Sequence, residues 1–476
     1  MLTREAIAKQ LRDMGLKKGD LVLIHSSTAA LGPIEGGVET LVDAFLEVIG
    51  SEGTLLAPVF GSLGIFTVAV RNRPDAIISD CPKGTIAAIG PQAKYICEDH
   101  WRAATAHGEG TPYTKLAELN GYICLLGVDQ DRNTSLHSVE ALLELAYLRT
   151  VTEDLETPTG RISKTWKYYP GPHRDFISLD KLMRDSGKMK IGKVGNAVTR
   201  LFRSRDMYEI MLAAGKIDPA FCLCDNPACD DCVHQRATLM AARLKQEDFK
   251  LTIASSVAGK YIPEMIDSLH ASGCNYIELD IINGRPAWTL SAEQLADATA
   301  QLSAANIEVS ALRLTAIPGD IDSVVDTALA AGIKTLIMPL SAEAKNHRDS
   351  ANRAGMEVYF VNIGLSSVRA GELLNLTGRP GSVLNPLEFA KAGEHPFLTS
   401  YRIGKYQRTI RQLDFADGVY DGTPTNWAMG NGEVKELLSI IRCFSFNGFV
   451  SICGSNKGMG TPRELVKKFI QLLDEI

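Results

Sequence analysis

The sequence predicts an α/β protein of two domains, an open sheet domain followed by a (β/α)8 barrel. The apolar run from Tyr122 to Val128 is typical of a buried strand in a mixed or parallel sheet. From Lys250 onward, strand and helix patterns alternate regularly. The length of 476 residues allows two to three domains. We therefore expect residues 1–220 to form the open-sheet domain, 221–248 a cysteine-rich knuckle with a linker, and 249–476 the barrel.

Composition and charge exclude several classes of protein. The formal net charge of −6 gives no basic footprint for nucleic acid, and every apolar window is shorter than a membrane span. The amphipathic pattern of residues 1–19 mixes acids with bases and lacks the apolar centre of a secretion signal. We expect a soluble cytoplasmic protein without nucleic-acid or membrane partners, and assembly into a homo-oligomer is left open.

A histidine and a carboxylate follow the predicted strand, in the segment LLGVDQDRNTSLHSVE. The apolar spacing after Ser135 predicts a helix, which places His137 and Glu140 three residues apart on one helical face. The carboxyl edge of such a sheet is where open α/β proteins keep their chemistry. A carboxylate raises the basicity of a neighbouring imidazole, which suits a general base for an amine or a hydroxyl. The alternative is a helix N-terminus with an incidental histidine.

A possible phosphate-binding loop follows the strand that ends at Ile24. It contains Ser26 and Ser27 in a turn, then the paired glycines Gly36 and Gly37 before a helix. Backbone N–H groups of such a loop can approach pyrophosphate oxygens, because glycine permits close contact. Most turns between a strand, a glycine and a helix bind nothing, so this loop alone does not establish a site.

Four segments in order resemble the aminoglycoside 3-N-acetyltransferase family. The family shares V-H-x-S-L-x-x-L-G-x-V-x-G-G followed by G-T-L-x-x-P. The chain has LVLIHSSTAALGPIEGG, then GTLLAP, then GEGTPYTKL, and then the strand with its histidine. The resemblance spans about the first 200 residues. It implies an α/β acetyltransferase sandwich of that family's type, with acetyl-CoA as co-substrate.

The resemblance also implies roles for individual residues. His137 is expected to be the general base for an amine that attacks the acetyl-CoA thioester, oriented by Glu140 or Glu109. The Thr85 hydroxyl, or loop amides near Ser26 and Ser27, would stabilise the oxyanion. The residues expected to contact the co-substrate are Ser26, Ser27, Gly36, Gly37 and Thr134.

Two departures from the family pattern concern the acceptor. Many members have H-P-x-x-S where this chain has Cys81, Pro82, Lys83, Gly84 and Thr85, so a histidine at the edge of the site is absent. The connection from Phe60 to Asp80 is short and carries Arg71, Arg73 and Asp75 in place of an acidic insertion. Because a polycationic drug needs a negative cleft, an amino sugar or another small amine is as plausible an acceptor as an antibiotic.

Three smaller features carry weaker expectations. The segment TWKYYPGPHRDF, with Tyr169, His173 and Arg174, is interpreted as a surface loop, and the resemblance offers the acceptor side of the cleft as the alternative. His100 and His107 are expected to be solvated loop histidines. The segment KMKIGKVGNAVTRLF is expected to place surface lysines before a glycine and a helix, with contact to a CoA phosphate as the alternative.

Four of the ten cysteines lie in FCLCDNPACDDCVHQ. The C-x-C-x4-C-x2-C spacing brings Cys222, Cys224, Cys229 and Cys232 onto one small knuckle. Four soft ligands in a tight loop suit tetrahedral structural zinc, and four protein ligands leave no open position for catalysis. Free thiols, disulfides and an iron–sulfur cluster are the alternatives.

Eight candidate strands define the barrel. They are KLTIASS, NYIELDI, IEVSALRL, KTLIMPL, MEVYFVNI, GSVLNP, TIRQLDFADG and GFVSICGS. Helical patterns such as SAEQLADATAQLSAA and GEVKELLSIIRCF lie between them. A (β/α)8 arrangement of this kind is a TIM barrel.

The tail of the chain resembles the sugar phosphate isomerase and epimerase family. That family binds a divalent metal at the strand ends, but three of the expected carboxylates are replaced here by Asn362, Asn385 and Cys453. Amides and a thiol cannot supply the charge that holds Mg²⁺ or Mn²⁺. We expect a barrel that has lost isomerase chemistry, although Glu278 and Asp414 remain.

The sequence therefore predicts an acetyl-CoA-dependent N-acetyltransferase that acts on an amine of an aminoglycoside, an amino sugar or a related small molecule. The first alternative places the activity in the barrel, as a sugar isomerase or a carbohydrate-binding module. The second is a protein with both sites silenced and an assembly role.

Overall fold

The computed structural model describes residues 1–61, 64–81, 83–157, 160–378, 380–397 and 409–476. Pro82 of the CPKGT segment lies outside these ranges. The chain divides into two compact units, Met1–Gln235 and Arg236–Ile476. Every helix in the described ranges falls short of the length and apolarity needed to cross a membrane.

The first unit combines short helices with one main sheet and a separate hairpin. Its helices are α1 Arg4–Asp13, α2 Thr28–Leu31, α3 Val38–Ile49, α4 Ile65–Arg71, α5 Ala93–Cys97, α6 Pro112–Glu118, α7 Leu136–Leu142, α8 Asp180–Asp185, α9 Ser204–Ile217 and α10 Asp230–Leu244, the last of which continues into the second unit. Its strands are β1 Leu21–Ser26, β2 Thr54–Pro58, β3 Ile77–Ile78, β4 Ile86–Ile89, β5 Tyr122–Leu126, β6 Arg149–Thr157, β7 Gly160–Tyr168, β8 Met189–Val194 and β9 Ala197–Arg203.

The main sheet has seven strands in the order β3-β4-β2-β1-β5-β9-β8. The central strands β2, β1 and β5 are parallel, and the outer pairs are antiparallel. The central strands are almost wholly apolar and buried, as expected for strands covered on both faces. The predicted strand after Tyr122 and the predicted helix after Ser135 are confirmed as β5 and α7. Because β1 and β5 are parallel neighbours, the turns that follow them emerge at one edge of the sheet.

Two antiparallel hairpins differ from the expectations. β6 and β7 form a two-stranded sheet of their own. The segment KMKIGKVGNAVTRLF forms the β8–β9 hairpin, so the prediction of a helix there was wrong. The physical reason is the turn at Gly195, which has a left-handed φ of +58° and reverses the chain, with strand residues on both sides.

The second unit is a closed barrel of parallel strands surrounded by helices. Its strands are β10 Lys250–Ala254, β11 Tyr276–Leu279, β12 Ile281–Ile282, β13 Arg285–Pro286, β14 Glu308–Arg313, β15 Thr335–Pro339, β16 Glu357–Val361, β17 Gly381–Leu384, β18 Ile410–Asp414 and β19 Phe449–Ile452. Its further helices are α11 Ser255–Ala258, α12 Ile262–Ser272, α13 Ala292–Ala304, α14 Ile321–Ala330, α15 Ala344–Arg353, α16 Ser367–Leu376, α17 Pro386–Lys391, α18 Val434–Cys443 and α19 Pro462–Asp474.

The barrel closes in the order β10-β11-β14-β15-β16-β17-β18-β19, with β19 pairing back to β10. These eight strands are the eight that the sequence predicts. β12 and β13 form a small additional hairpin. Apolar residues of the strands and of the inward helix faces form one continuous core. The predicted (β/α)8 architecture is thus confirmed for this unit.

Candidate functional site

His137 lies in the first turn of α7, a short distance beyond the end of β5. A 3-10 turn at Gln130–Arg132 connects the two elements. The Nδ1 atom of His137 is 2.5 Å from Oε2 of Glu140. The three-residue helical spacing therefore brings the imidazole and the carboxylate together, as the sequence predicts.

Glu140 is fully buried and holds three partners. Its Oε2 faces His137, while its Oε1 accepts hydrogen bonds from the Arg174 Nε at 2.6 Å and the Tyr147 hydroxyl at 2.7 Å. Arg174 is itself only 7% exposed and also donates to the carbonyl of Pro170. A buried carboxylate with this many donors is fixed in position, and so it can hold the imidazole in one orientation.

Aromatic rings surround His137. The Tyr169 ring stacks on the imidazole with a centroid distance of 3.5 Å and an interplanar angle of 4°. Phe176 makes an edge contact at 4.9 Å, and the His107 ring lies 5.8 Å away. The side chain of His137 keeps 14% of its surface exposed. With Nδ1 held by Glu140, the other ring nitrogen, Nε2, is the one that can accept a proton.

Burial and charge act in opposite directions on this pair. Burial lowers the pKa of His137 below its ordinary value, and Glu140 raises it only in part. Glu140 thus raises the pKa of His137, as the sequence predicts, but desolvation outweighs this effect. Burial alone would raise the pKa of Glu140, but contact with His137 and Arg174 lowers it below its ordinary value. The pair is consequently a neutral imidazole beside an ionised carboxylate at neutral pH.

Two other candidates are not brought to His137. Glu109 is exposed, whereas Glu140 is in direct contact with the imidazole, so Glu140 is the carboxylate that orients His137. The Thr85 hydroxyl donates to the carbonyl of Cys81 at 2.5 Å. Because a hydroxyl has a single proton, Thr85 has no spare donor in this arrangement. The expectation that Thr85 supplies an oxyanion donor is thus corrected.

The candidate co-substrate residues separate into two groups. Ser26 ends β1, and the Ser27 N–H donates to the carbonyl of Leu126 at 2.9 Å, so this turn lies beside the end of β5. Thr134 belongs to the turn before α7, and its carbonyl accepts from the N–H of His137. Gly36 and Gly37 are exposed, have left-handed φ values and precede α3. The structure thus brings Ser26, Ser27 and Thr134 to the sheet edge that carries His137, while the glycines lie at the start of a separate helix.

Several residues near His137 are missed by sequence reasoning. His107 is 2% exposed and His100 is fully buried, so the expectation of solvated loop histidines was wrong. His100 bonds Ser79 and the carbonyl of Ala106, which explains its burial. The Nε2 of His107 is buried without a hydrogen-bond partner among the described residues. A Cβ on Gly84 would come within 3.1 Å of that nitrogen, which explains a glycine in the altered CPKGT segment.

The cysteine cluster has a different fourth member from the one expected. The ligand atoms of His173, Cys224, Cys229 and Cys232 lie within 4.8 Å of one another. Cys222 is not in this group. Its buried Sγ lies 3.5 Å from the Tyr147 hydroxyl, and its carbonyl accepts from the N–H of Asp175. The expected set of four cysteines is corrected at Cys222, because its side chain packs against Tyr147. His173, from the Pro-Gly-Pro loop of residues 169–174, is the fourth member instead.

The donor set of the cluster fits zinc. The Nδ1 of His173 lies 3.2 Å from the Cys229 sulfur and 3.3 Å from the Cys232 sulfur. Tetrahedral zinc with three thiolates and one imidazole requires ligand atoms roughly 3.5–3.8 Å apart. The Asp231 carboxylate accepts from the N–H of His173 and so braces the loop. The ten cysteines are unbridged, which leaves these thiols available as ligands.

The barrel interior contains a network of charged and polar side chains that bond one another. Arg313 bonds both Glu278 oxygens, at 2.5 and 3.2 Å, and Asp414 at 2.7 Å. Gln412 donates to the same two carboxylates at 2.6 and 2.9 Å. Glu278 and Asp414 are fully buried. A guanidinium therefore occupies the space between the two carboxylates.

Four further polar side chains at the described ends of the barrel strands, Asn362, Asn385, Asp417 and Asn456, are also bonded internally. Asn362 and Asn385 bond each other, and Asn385 donates to Asp414. Asp417 accepts backbone N–H groups of the loop that includes Gly432. Asn456 accepts from the Trp427 indole and donates to a carbonyl. These side chains thus hold loops of the barrel in place.

Comparison with known proteins decides the family. The sequence profile of the aminoglycoside 3-N-acetyltransferases matches residues 23–63 and 61–214. Aminoglycoside N(3)-acetyltransferase IX of Micromonospora chalcea is 32% identical over 266 residues, with 44% of this chain and 92% of that protein covered. The chain belongs to the aminoglycoside 3-N-acetyltransferase family.

Other family members match the same part of this acetyltransferase. Aminoglycoside N(3)-acetyltransferase IV of a Salmonella species is 30% identical over 232 residues, which cover 44% of this chain and 86% of that protein. The solved apoenzyme of aminoglycoside acetyltransferase AAC(3)-IVa is 26% identical and covers 48% of this chain and 95% of that chain, with a TM-score of 0.45. The profile match lies within the first unit, so the first unit carries the acyltransferase assignment.

Proposed function

We propose that the first unit transfers the acetyl group of acetyl-CoA to an amine of an aminoglycoside, an amino sugar or a related small molecule, with His137 as general base. The observation that carries this proposal is the buried Glu140, which fixes the Nδ1 side of His137 and is itself fixed by Arg174 and Tyr147. This arrangement leaves Nε2 of a partly exposed imidazole to face a substrate.

The proposed reaction is a direct transfer. The lone pair of the acceptor amine attacks the thioester carbonyl, and Nε2 of His137 takes the amine proton. The new N–C bond forms, the C–S bond breaks, and the CoA thiolate leaves and recovers a proton from the imidazolium. Glu140 stabilises the imidazolium while it exists, since the two are in contact. The reaction requires no covalent acyl-enzyme.

The co-substrate is proposed to lie along the sheet edge formed by the ends of β1 and β5. Ser26, Ser27 and Thr134 are at this edge. Because the N–H groups of Ser27 and Thr134 already bond the carbonyls of Leu126 and Arg132, the proposed donors to phosphate oxygens or to the oxyanion are the hydroxyls of these residues and the N–H groups at the start of α2. Gly36 and Gly37 precede α3, and the N–H groups at the start of this helix are also proposed to contact the co-substrate. The loss of Thr85 as a donor leaves the oxyanion role to the donors at the sheet edge.

The surroundings of His137 suit a sugar with few positive charges. Tyr168 and Tyr169 stack on each other at 4.1 Å and provide apolar ring faces next to the imidazole. Lys83 pairs with Glu153 and lies 5.8 Å from the Tyr168 ring centroid. This ion pair adds no net negative charge beside the tyrosines, which favours an amino sugar with one or two amines over a densely cationic acceptor.

The pH dependence of the reaction follows from the lowered pKa of His137. The neutral imidazole is the active form, so kcat/KM should rise as the pH increases through a midpoint below about 6.5 and then level off. In Glu140→Gln the midpoint should move to lower pH, because the carboxylate is the group that raises this pKa. The measurement is kcat/KM against pH for both proteins. Identical acid limbs in the two profiles would contradict the proposed base. They would show that the limb belongs to another group, such as the acceptor amine.

We also propose that His173, Cys224, Cys229 and Cys232 hold a structural zinc ion. Metal analysis of the purified full-length protein should find about one zinc per chain, the stoichiometry of a four-ligand structural site. Cys232→Ser and His173→Ala should lower the zinc content, and Cys222→Ser should retain it. Loss of zinc from Cys222→Ser with retention in His173→Ala would instead support the four-cysteine set.

A sugar isomerase or carbohydrate-binding role for the barrel has weaker support. Arg313 neutralises the buried carboxylates Glu278 and Asp414, so a divalent cation would have to displace a guanidinium. The amides of Asn385 and Asn456 are engaged with protein partners. Titration of Mn²⁺ into the full-length protein tests this alternative. Micromolar affinity for Mn²⁺ without any substitution of Arg313 would support a metal-dependent role of the barrel.

A further inference from the structure

One short loop connects the metal cluster to the catalytic pair. The Pro-Gly-Pro loop, defined here as residues 169–174, begins with Tyr169 on the imidazole of His137 and ends with Arg174 on the carboxylate of Glu140. The ligand His173 immediately precedes Arg174. Every group that the loop presents to the catalytic pair is therefore within four residues of a cluster ligand.

The loop is fastened at the cluster side. The Asp231 carboxylate accepts from the N–H of His173 at 3.1 Å, and a Cβ on Gly171 would lie 2.2 Å from an Asp231 oxygen. Gly171 has a φ of +68°, a left-handed conformation that favours glycine. Asp231 lies between Cys229 and Cys232, at the start of α10. The loop and the cysteine segment thus fit closely at the position of the cluster.

A second line of contacts runs from the cysteine segment to the same carboxylate. Cys222 lies against the Tyr147 hydroxyl, and that hydroxyl donates to Glu140. The carbonyl of Cys222 also accepts from the N–H of Asp175, the residue after Arg174. Glu140 is consequently held from two directions, and both directions lead back to the cysteine segment.

We propose that metal binding by His173, Cys224, Cys229 and Cys232 positions the general base, because it fixes the Pro-Gly-Pro loop that places Tyr169 and Arg174 on His137 and Glu140. The inference rests on the proposed function of His137. Arg174 and Tyr169 are positioning residues, and the metal has no part in the chemistry. Loss of the metal would free His173 and allow the loop to leave the imidazole, which couples acetyl transfer to zinc supply or to oxidation of the three thiols.

The test compares zinc-loaded, chelator-treated and zinc-restored full-length protein. Acetyl transfer from acetyl-CoA is measured with glucosamine and with gentamicin as acceptors, and acetyl-CoA binding is measured by calorimetry. We expect removal of zinc to lower kcat about 10- to 100-fold, the scale of a small misplacement of a catalytic group, with the KM for acetyl-CoA unchanged. Stoichiometric zinc should restore kcat. A zinc-free protein that keeps kcat within about twofold would overturn the inference.

A second readout does not depend on the acceptor. Diethyl pyrocarbonate modifies accessible imidazoles, and peptide mass spectrometry can follow the modification of His137. Release of the loop should expose this ring and raise its modification rate several-fold, and zinc should reverse the change. If the loaded protein acetylates neither acceptor, the proposed function fails, while the modification rate of His137 still decides whether the metal controls the loop. Equal rates with and without zinc would contradict the control.

Four variants separate the contributions. Cys229→His keeps four ligands of a type that zinc accepts and should retain both zinc and kcat, whereas Cys229→Ala should lose both. Arg174→Gln should retain zinc, as judged by metal analysis and by the visible spectrum after cobalt substitution, and still lose kcat. Cys443→Ser is the matched control, because Cys443 is an exposed cysteine outside the cluster, and it should change neither quantity. Loss of zinc and kcat in Cys229→Ala with loss of kcat alone in Arg174→Gln is the pattern that the inference requires.

Discussion

Replacement of His137 by alanine should lower kcat by about 10²- to 10⁴-fold, the contribution of general base catalysis, and leave the affinity for acetyl-CoA nearly unchanged. The reason is that Nε2 of His137 is the proton acceptor of the proposed transfer, whereas the co-substrate is assigned to the turns at the ends of β1 and β5. Steady-state kinetics measures the rate, and calorimetric titration of acetyl-CoA measures the affinity.

The matched control for this substitution is His270→Ala. His270 is exposed on α12 of the barrel and bonds a backbone carbonyl there, so its removal should leave acetyl transfer unaffected. An unchanged kcat in His137→Ala would contradict the assignment of the base. Equal losses of kcat and acetyl-CoA binding would point to a folding defect, which thermal unfolding of the variant would detect.

Replacement of Arg313 by methionine should destabilise the protein by about 3–5 kcal/mol at neutral pH, the usual cost of leaving a buried charge without its partner. Glu278 and Asp414 are fully buried and share this one guanidinium. Burial already raises the pKa of Glu278, with Asp414 adding to the rise and Arg313 opposing it. Removal of Arg313 should raise the pKa further. Denaturant unfolding of the full-length protein gives the free energy of unfolding.

The pH dependence of this loss has a definite sign. In Arg313→Met the native Glu278 carboxyl group should bind a proton more readily than the unfolded one, so the destabilisation should shrink as the pH falls toward 5. Addition of Glu278→Gln and Asp414→Asn should recover most of the loss at neutral pH. Arg285→Met, at an exposed arginine of the β12–β13 hairpin, is the control and should stay within about 0.5 kcal/mol of the parent. Equal stabilities of Arg313→Met and the parent protein would contradict the network.

The contact between His137 and Glu140 could be predicted from the sequence because the two residues are close neighbours in it. Helical spacing alone brings His137 to Glu140, and the strand before them fixes the sheet edge at which they lie. Arg174 and Tyr147 could not be predicted in this way. They reach Glu140 from other segments of the first unit, and their roles depend on packing that no local pattern encodes. The net lowering of the pKa of His137 likewise depends on burial, which no local pattern encodes.

In the cysteine cluster, the spacing of the cysteines correctly predicts three members and fails to predict the fourth. Three of the four expected thiols converge: Cys232 lies in the first turn of α10, Cys229 immediately precedes this helix, and Cys224 lies in the loop before it. Cys222 packs inward on Tyr147, and His173 takes its place. The segment TWKYYPGPHRDF contained the signal, because its histidine follows a rigid Pro-Gly-Pro turn, but only the fold brings that turn to the cysteines.

The barrel was predictable and the strand pairs of the first unit less so. Each of the eight barrel strands is a short apolar run with its own flanking helix, and parallel strands buried on both faces give that signal clearly. The hairpin β6–β7 is largely exposed, so its strands carry few of the apolar residues that mark a strand in a sequence. In the lysine-rich segment, the part after Gly195 that was expected to be a helix is β9, because the chain reverses at this glycine.

The most direct test of the central claim is to incubate the full-length protein with isotopically labelled acetyl-CoA and a panel of aminoglycosides and amino sugars, and to identify products by mass spectrometry. The account predicts an N-acetylated product whose formation needs both acetyl-CoA and an intact His137. Labelled product formed equally well by His137→Ala, or no labelled product from any amine despite saturable acetyl-CoA binding, would contradict it.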